Sequence, residues 1–337
     1  MNQEKWAQDE AAFEKFMQLR YGFLVSRALH VVAELGVADA LSDGPKTSHE
    51  IARAAGAHQE SLYRLLRMLA GHGLFEEDAA GRFHLTSLGS MLRSDAFRDA
   101  ARFFNEADWA ACGNLIHSIK TGENAFQHVH GVGMFEYLAA NPDANARFDH
   151  AMQNSSSPEN AAVAKAYNFG KFRRIVDIGG GRGGLIGEIL KVYPSLRGVL
   201  FDQPQVVASP DLLTAARVGN RCEIMAGNFF ESVPAGGDAY LLKRIIHDWN
   251  DDIATGILRR CRDAVTEGGG VFVVDAVITA GNTPDRAKDT DILMMALLGG
   301  KERSEADFKE LFARAGLKLN QVLTTASLMR IVEGKPL

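Results

Sequence analysis

The chain is poor in several features that would each mark a class of protein. It has three cysteines in 337 residues, Cys112, Cys222 and Cys261, and no C-x-x-C spacing. That argues against a disulfide scaffold and fits reduced thiols in a cytoplasmic protein. No apolar run approaches about 18 residues, so no segment reads as membrane-spanning. The first residues, Met-Asn-Gln-Glu-Lys-Trp, lack a basic n-region and an apolar h-region, so no secretory leader is expected. A surplus of positive charge is also missing: 37 Lys and Arg stand against 42 Asp and Glu, a net charge of −5. Nucleic acid and anionic membranes are therefore poor partners. Internal repeats, low-complexity tracts and long charge blocks are absent. So is any dense His/Cys/Asp cluster with metal-ligand spacing, and no metal is expected.

What the chain does have is length and apolar content. The 337 residues fit two domains, and 46% hydrophobic residues allow each a full core.

The richest stretch is Ile175-Val-Asp-Ile-Gly-Gly-Gly-Arg-Gly-Gly184. An apolar strand carries an acid, Asp177, near its end and runs into closely spaced glycines. An apolar helical pattern, Leu185 to Val192, follows. Glycines here let the backbone turn sharply and let a ligand approach main-chain N–H groups. A second apolar run, Gly198-Val-Leu-Phe201, ends in Asp202, roughly 20 residues on, the spacing of an acid that accepts hydrogen bonds from a ribose diol. Gly179, Gly181 and Gly184 satisfy G-x-G-x-x-G, so this segment alone leaves a dinucleotide site and a structural glycine loop open. The acid two places before the first glycine favours S-adenosylmethionine. That ligand has no pyrophosphate but brings an ammonium and a sulfonium that an acidic loop can hold.

The N-terminal half reads as helical with a wing. Apolar residues recur at helical spacing from Phe16 to Leu41, with a helix end and restart at Leu35-Gly36-Val37. Thr47 and Glu50 form a capping-box pattern ahead of two short helices, a helix-turn-helix signature. Leu74-Phe-Glu-Glu and Arg82-Phe-His-Leu around Asp78–Gly81 read as a hairpin wing. Basic residues from 45 to 95 (Lys46, Arg53, Arg64, Arg67, Arg82, Arg93) are matched by acids (Glu50, Glu60, Glu76, Glu77, Asp78, Asp95). A DNA reader needs a basic face, so the winged helix is expected to be structural or dimerising. Residues 96–167 read as mostly helical, and Asn154–Pro158 as a helix end or an interdomain joint.

The C-terminal half alternates strands (Arg174–Ile178, Gly198–Phe201, Cys222–Ala226, Ala239–Lys243, Val271–Ala276) with helices, notably Leu185–Tyr193 and Asp251–Ala264. This predicts an α/β, doubly wound parallel sheet with its ligand beyond the strand C-termini. Gly179, Asp202, Asn228-Phe229, Lys243 and Asp275 are expected just after strands.

Several pieces occur together in order: Val176-Asp-Ile-Gly-Gly-Gly181, Phe201-Asp-Gln-Pro204, Gly227-Asn-Phe-Phe230, Lys243 with His247-Asp-Trp249, and Gly299-Gly-Lys-Glu-Arg-Ser304. With Gly131–Tyr137, Phe148–Met152 and the winged helix, they make the chain resemble the S-adenosylmethionine-dependent small-molecule O-methyltransferases. That family includes the plant caffeate and flavonoid enzymes and bacterial enzymes of polyketide and phenazine metabolism. The resemblance implies a dimerisation domain over 1–95, a helical connecting and substrate-pocket region over 96–167 and a Rossmann-like catalytic domain over 168–337. It implies a homodimer with interlocked N-terminal helices. It also implies a donor site of Gly179, Gly181, Asp202, Asn228, Phe229 and Lys243, with Asn228 standing where relatives often carry Asp. Arg244 is left unassigned.

For chemistry the resemblance points to His247 as general base, with Asp275 and Glu302 as the acids that orient it. A phenol has a pKa near about 10 and imidazole one of about 6.5, so proton removal should accompany attack. Relatives of the plant type have Glu where this chain has Asp275, which leaves direct contact with His247 open. Asp248 is expected near the donor or capping the helix entered at Trp249. Met152, Met294, Met295, Trp109 and Phe135 are candidates to line a flat pocket, with ordinary core packing as the alternative for each. His128 and His130 are left unassigned. The leading expectation is O-methylation of a small hydroxyaromatic secondary metabolite. The alternatives are N-methylation or a repurposed reaction on the same scaffold, and, more distantly, a winged-helix ligand-sensing regulator.

Overall fold

The computed structural model describes residues 10–337, with the backbone alone at Ser155. The opening Met1–Trp6, read above for a leader, lies outside the described residues. The chain forms two compact units. One runs up to Asn105 and takes in Arg147–Asn154; the other comprises Glu106–Ala146 and Ser155–Leu337.

The first unit begins with the helix Glu10–Glu34, which ends before Gly36, a glycine in the left-handed conformation that a new helix, Val37–Ala40, follows. Strand β1 (Lys46–Thr47) leads into the helices Ser48–Ala55 and Gln59–Gly71, then β2 (Phe75–Glu77) and β3 (Arg82–Leu85). The Thr47/Glu50 capping box forms: the Thr47 N–H donates to Glu50 Oε2 at 2.8 Å and the Glu50 N–H to Thr47 Oγ1 at 3.3 Å. Asp78 closes the wing by accepting the N–H groups of Ala80 and Arg82, both at 2.9 Å. Sheet order β1-β3-β2 makes a winged helix whose core joins Val32, Ile51, Leu66, Leu69, Phe75 and Phe83. Only the second half of the first helix enters that core. Phe16, Leu19 and Phe23, earlier on the helix than Ala28, where its core contacts begin, are 63–70% exposed.

The second unit carries the main sheet: β4 (Arg174–Ile178), β5 (Arg197–Asp202), β6 (Cys222–Ala226), β7 (Gly237–Lys243), β8 (Val265–Ile278), β9 (Arg303–Ser304), β10 (Leu317–Thr324) and β11 (Met329–Pro336). The order is β10-β11-β8-β7-β4-β5-β6, with β9 beside the end of β8. From β8 to β6 all neighbours are parallel; β10 and β11 add an antiparallel hairpin at one edge. Apolar clusters cover both faces. Leu185, Ile186, Ile189 and Leu190 of helix Gly184–Val192 pack on one, and Ile257, Leu258, Phe308 and Leu311 from helices Asp251–Ala264 and Glu305–Arg314 pack on the other. This is the doubly wound arrangement, and the strand order reverses at β4, where such sheets bind ligands.

Two local expectations are corrected. The helix Pro142–Ala166 runs unbroken through Asn154–Pro158, so no helix ends there. Pro158 lacks an N–H and forgoes one backbone bond, and the flanking turns carry the helix past it. The boundary between the two units does fall in this stretch, at Asn154/Ser155. Strand β8 extends beyond Ala276, because pairing with β11 reaches Ala276 and pairing with β9 continues at Val277. Asp275 therefore lies inside the strand rather than after it.

Candidate active site

Beyond the C-terminal end of β4 the glycine loop lies over Asp177. A Cβ on Gly180 would stand 2.8 Å from Asp177 Oδ2, and one on Gly179 would stand 2.4 Å from Ile245 Cδ1. Gly179 and Gly181 both take left-handed backbone angles, φ 64 and 58. Asp177 is buried without a compensating ion pair, which pushes its carboxyl up to about 7. Asp202 ends β5 and ties the loop down. Its Oδ2 accepts the Gly181 N–H at 2.8 Å and its Oδ1 the Gln203 N–H at 2.7 Å. Burial raises its pKa, and the two amides offset part of that rise. Nothing lies within 4 Å of where a Gly181 Cβ would be. The loop thus keeps open space beside an acid whose carboxylate has lone pairs to spare, which fits a ligand bearing a ribose diol.

Asn228 follows β6. Its Oδ1 accepts the Phe230 N–H and its Nδ2 donates to Glu231, both at 3.0 Å, so the amide closes its own turn. Phe229 packs between the glycine loop and Phe230, its Cε1 3.6 Å from the Gly179 Cβ position. Lys243 ends β7 with its side chain buried. Nζ donates to Ser156 Oγ at 2.8 Å and pairs with Glu159 at 3.1 Å. Arg244 grips the same Glu159 through two bonds, at 2.7 and 3.2 Å. Glu159 was not singled out in the sequence. One acid after Ser-Ser-Pro has no spacing or period to mark it.

His247 sits in the tight turn Ile246–Asp248 after β7, 5% exposed. Nδ1 meets Glu302 Oε1 at 2.9 Å, and Nε2 lies 3.3 Å from Asp248 Oδ1. Asp248 therefore turns toward the imidazole. The helix after Trp249 is capped instead by Asn250, whose Oδ1 accepts the N–H groups of Asp252 and Ile253. Asp275 makes no hydrogen bond to His247; its Oδ1 accepts the Arg244 N–H at 2.9 Å. It acts on the ring by charge. Burial alone would push His247 down, but Asp275, then Asp248 and Glu302, more than offset it and raise it to about 9. Burial lifts Asp248 to about 7 and Asp275 to about 6.

The loop holding Glu302 is pressed onto this turn. A Cβ on Gly300 would stand 2.1 Å from the His247 carbonyl oxygen, so only glycine fits. The Lys301 N–H donates to that carbonyl at 2.9 Å, and the Glu302 N–H to Asp291 Oδ1 at 2.9 Å. Arg303, fully buried, donates to the carbonyls of Ile246 and Trp249, both at 2.9 Å, and to Asp251. Arg303 stands in the motif Gly299–Ser304, but no spacing in that motif marks this clamp.

The pocket candidates separate. Met294 and Met295 lie half-buried on helix Arg286–Leu297 in the same unit as His247. Trp109 is half-buried on helix Glu106–Gly113, and Phe135 is largely exposed on helix Met134–Ala140. Met152 belongs to the first unit. Phe126 is core, 1% exposed, packed on His130 and Tyr137. His128 stacks on His117, and His130 Nε2 meets the Ala107 carbonyl at 3.0 Å. Among the described residues, no group of three or more His, Cys, Asp or Glu could hold a metal ion, and no helix is long and apolar enough to cross a membrane.

Residues 112–318 match the O-methyltransferase domain and residues 17–95 the O-methyltransferase dimerisation domain. The chain belongs to this family of O-methyltransferases. It is 40% identical over 325 residues to the phenazine O-methyltransferase PhzM of Lysobacter antibioticus, covering 95% of each chain. The solved structure of the mitomycin 7-O-methyltransferase MmcR superposes with a TM-score of 0.91 at 37% identity, over 98% of this chain and 99% of that one. The neocarzinostatin-biosynthesis O-methyltransferase NcsB1, solved with S-adenosylmethionine and 2-hydroxy-5-methyl naphthoic acid, gives 0.80 at 36% identity, over 93% and 96%. This O-methyltransferase is S-adenosylmethionine-dependent and joins a Rossmann-like catalytic domain to a helical dimerisation domain.

Proposed function

We propose that this O-methyltransferase methylates a hydroxyl on a small aromatic secondary metabolite, with His247 as general base. The observation that carries the base assignment is the 2.9 Å contact of His247 Nδ1 with the buried Glu302. That bond keeps a proton on Nδ1 and leaves Nε2 as the basic nitrogen of the neutral ring. When bound, S-adenosylmethionine supplies a methyl group on a sulfonium. Gly179, Gly181, Asp202, Asn228, Phe229 and Lys243 are the residues assigned to hold it, with Asp202 accepting from the ribose diol. His247 Nε2 takes the acceptor's O–H proton as the oxygen becomes nucleophilic. Asp248, Asp275 and Glu302 stabilise the resulting imidazolium, which releases its proton to solvent before the next turnover. Met294, Met295, Trp109 and Phe135 are assigned to the acceptor pocket. The phenazine and naphthoic acid named for the relatives support an aromatic acceptor.

We further infer a homodimer closed over the first helix, whose exposed Phe16, Leu19 and Phe23 form an apolar face that a monomer leaves in water. A stable, active monomer in sedimentation at micromolar concentration would rule this out.

The deciding experiment for the reaction is a mass-spectrometric screen of hydroxyaromatic acceptors with methyl-labelled donor. Label on a phenolic oxygen supports the reading. Label on ring nitrogens only would transfer the enzyme to N-methylation, where a base at position 247 has no proton to remove.

A further inference from the structure

Arg244 has an unusual backbone. Its φ of 55 lies in the left-handed region, shared among non-glycine described residues only by Arg217. In that conformation its N–H meets two acceptors, the Val274 carbonyl at 3.1 Å and Asp275 Oδ1 at 2.9 Å. The second is the only hydrogen bond to the Asp275 carboxylate among the described residues; its Oδ2 has no partner. At the other end of the residue, the guanidinium is clamped by both oxygens of Glu159, which is 8% exposed on helix Pro142–Ala166.

We propose that Glu159 is a positioning residue for the base: by clamping the Arg244 side chain it holds the Arg244 main chain left-handed and keeps that N–H on Asp275, the acid beside His247. The proposal rests on His247 being the base. Two observations support it. Asp275 is the largest contributor of those that raise His247, ahead of Asp248 and Glu302. Burial would raise Glu159, yet Arg244 and then Lys243 bring it below the ordinary carboxylate range, so the clamp is an ionised one. The charged groups facing the ring and its partners are Asp248 on its own turn, Asp275 on β8 and Glu302 before β9. Arg244 and Arg303 face Asp275, and Asp291 is bonded to the Glu302 N–H.

The test compares Arg244→Gly with Arg244→Ala. Both remove the same guanidinium and leave Glu159 paired with Lys243. Glycine adopts the left-handed angle freely, whereas alanine does not. The His247 ring is titrated by NMR in each full-length protein, alongside kcat against pH. Positioning predicts that the ring in Arg244→Ala titrates about half a pH unit or more below that in Arg244→Gly, because a carboxylate released from its N–H donor moves away from the ring and its charge acts over a longer distance. The rising limb of kcat should move with it. Glu159→Gln should fall below wild type in the same way. A through-space effect of the lost charge shifts both Arg244 variants equally, and equal titrations would overturn the proposal whether or not Glu159→Gln folds. Failure of the base reading shows elsewhere, as near-normal turnover of His247→Ala, while the ring titrations of the Arg244 pair still decide the positioning.

Discussion

Glu302 Oε1 lies 2.9 Å from His247 Nδ1, with both side chains buried. A bond of this kind fixes which ring nitrogen carries the proton. His247→Ala should lower turnover of a phenolic acceptor by roughly 10²–10⁴-fold while leaving donor affinity nearly unchanged. The loss should shrink as pH approaches the phenol's own pKa of about 10, where the phenolate needs no base. Glu302→Gln should lose less, in the same direction. Steady-state kinetics against pH checks both. Near-normal turnover of His247→Ala at neutral pH would leave proximity as the better account.

Asp275 acts without touching the ring. Asp275→Asn keeps an oxygen for the Arg244 N–H and removes the charge that most raises His247. The His247 titration should therefore fall from about 9 toward the ordinary imidazole value, and the rising limb of kcat should move to lower pH with it. An unmoved limb would mean that Asp248 and Glu302 hold the ring up alone.

Asp202 has a double attachment, to the Gly181 N–H and to the Gln203 N–H. Asp202→Ala should weaken S-adenosylmethionine and S-adenosylhomocysteine alike. A lost hydrogen bond to a charged group costs on the order of 1.5–3 kcal/mol, or roughly 10–150-fold in Kd. Isothermal calorimetry reads this directly, and an unchanged Kd would remove Asp202 from the donor site.

The buried titratable groups also set a pH dependence of stability for the ligand-free protein. Asp177 at about 7, Asp248 at about 7 and Asp275 at about 6 hold protons in the fold that the unfolded chain releases near about pH 4. His247 at about 9 holds one that the unfolded ring releases near about 6.5. In every case the folded state binds more protons. Their contribution is therefore full below the unfolded pKa values and is lost as pH rises, between about 4 and 7 for the acids and between about 6.5 and 9 for the histidine. Near pH 8 the histidine's share of the slope approaches about 1.4 kcal/mol per pH unit. Denaturant unfolding from pH 5 to 9 should show midpoints falling with pH; a rise across that range would contradict the assignment.

The strands of the donor site were legible as short apolar runs between turn signals, and Arg174–Ile178 is buried along nearly its whole length. Arg174–Ile178 and Cys222–Ala226 have the bounds read from the sequence, as does helix Asp251–Ala264 with its apolar stripe. The capping box at Thr47 and the wing at Asp78–Gly81 were legible as local turn chemistry. The edge hairpin β10–β11 was not, because its first strand alternates irregularly between covered and uncovered positions around a register shift at Leu319/Gln321. Pro158 misled by its usual meaning, since a long helix can lose one bond. Glu302 and His247 came from motif order. The position of Arg303 came from motif order too, but its clamp did not, and Glu159 came from nothing in the sequence, because a single buried charge is defined by the backbone carbonyls and ions it meets, and those partners lie as much as 85 residues away.

The path of helix Pro142–Ala166 has a consequence for any attempt to divide this enzyme. Its middle, Arg147–Asn154, completes the first unit, while its two ends belong to the second. Neither unit is one uninterrupted length of chain. A truncation after Asn105 should leave a fragment lacking part of its own interior, and on the ribosome the first unit cannot close until residue 154 has emerged. The order in which the chain is made is thus not the order in which its parts become whole.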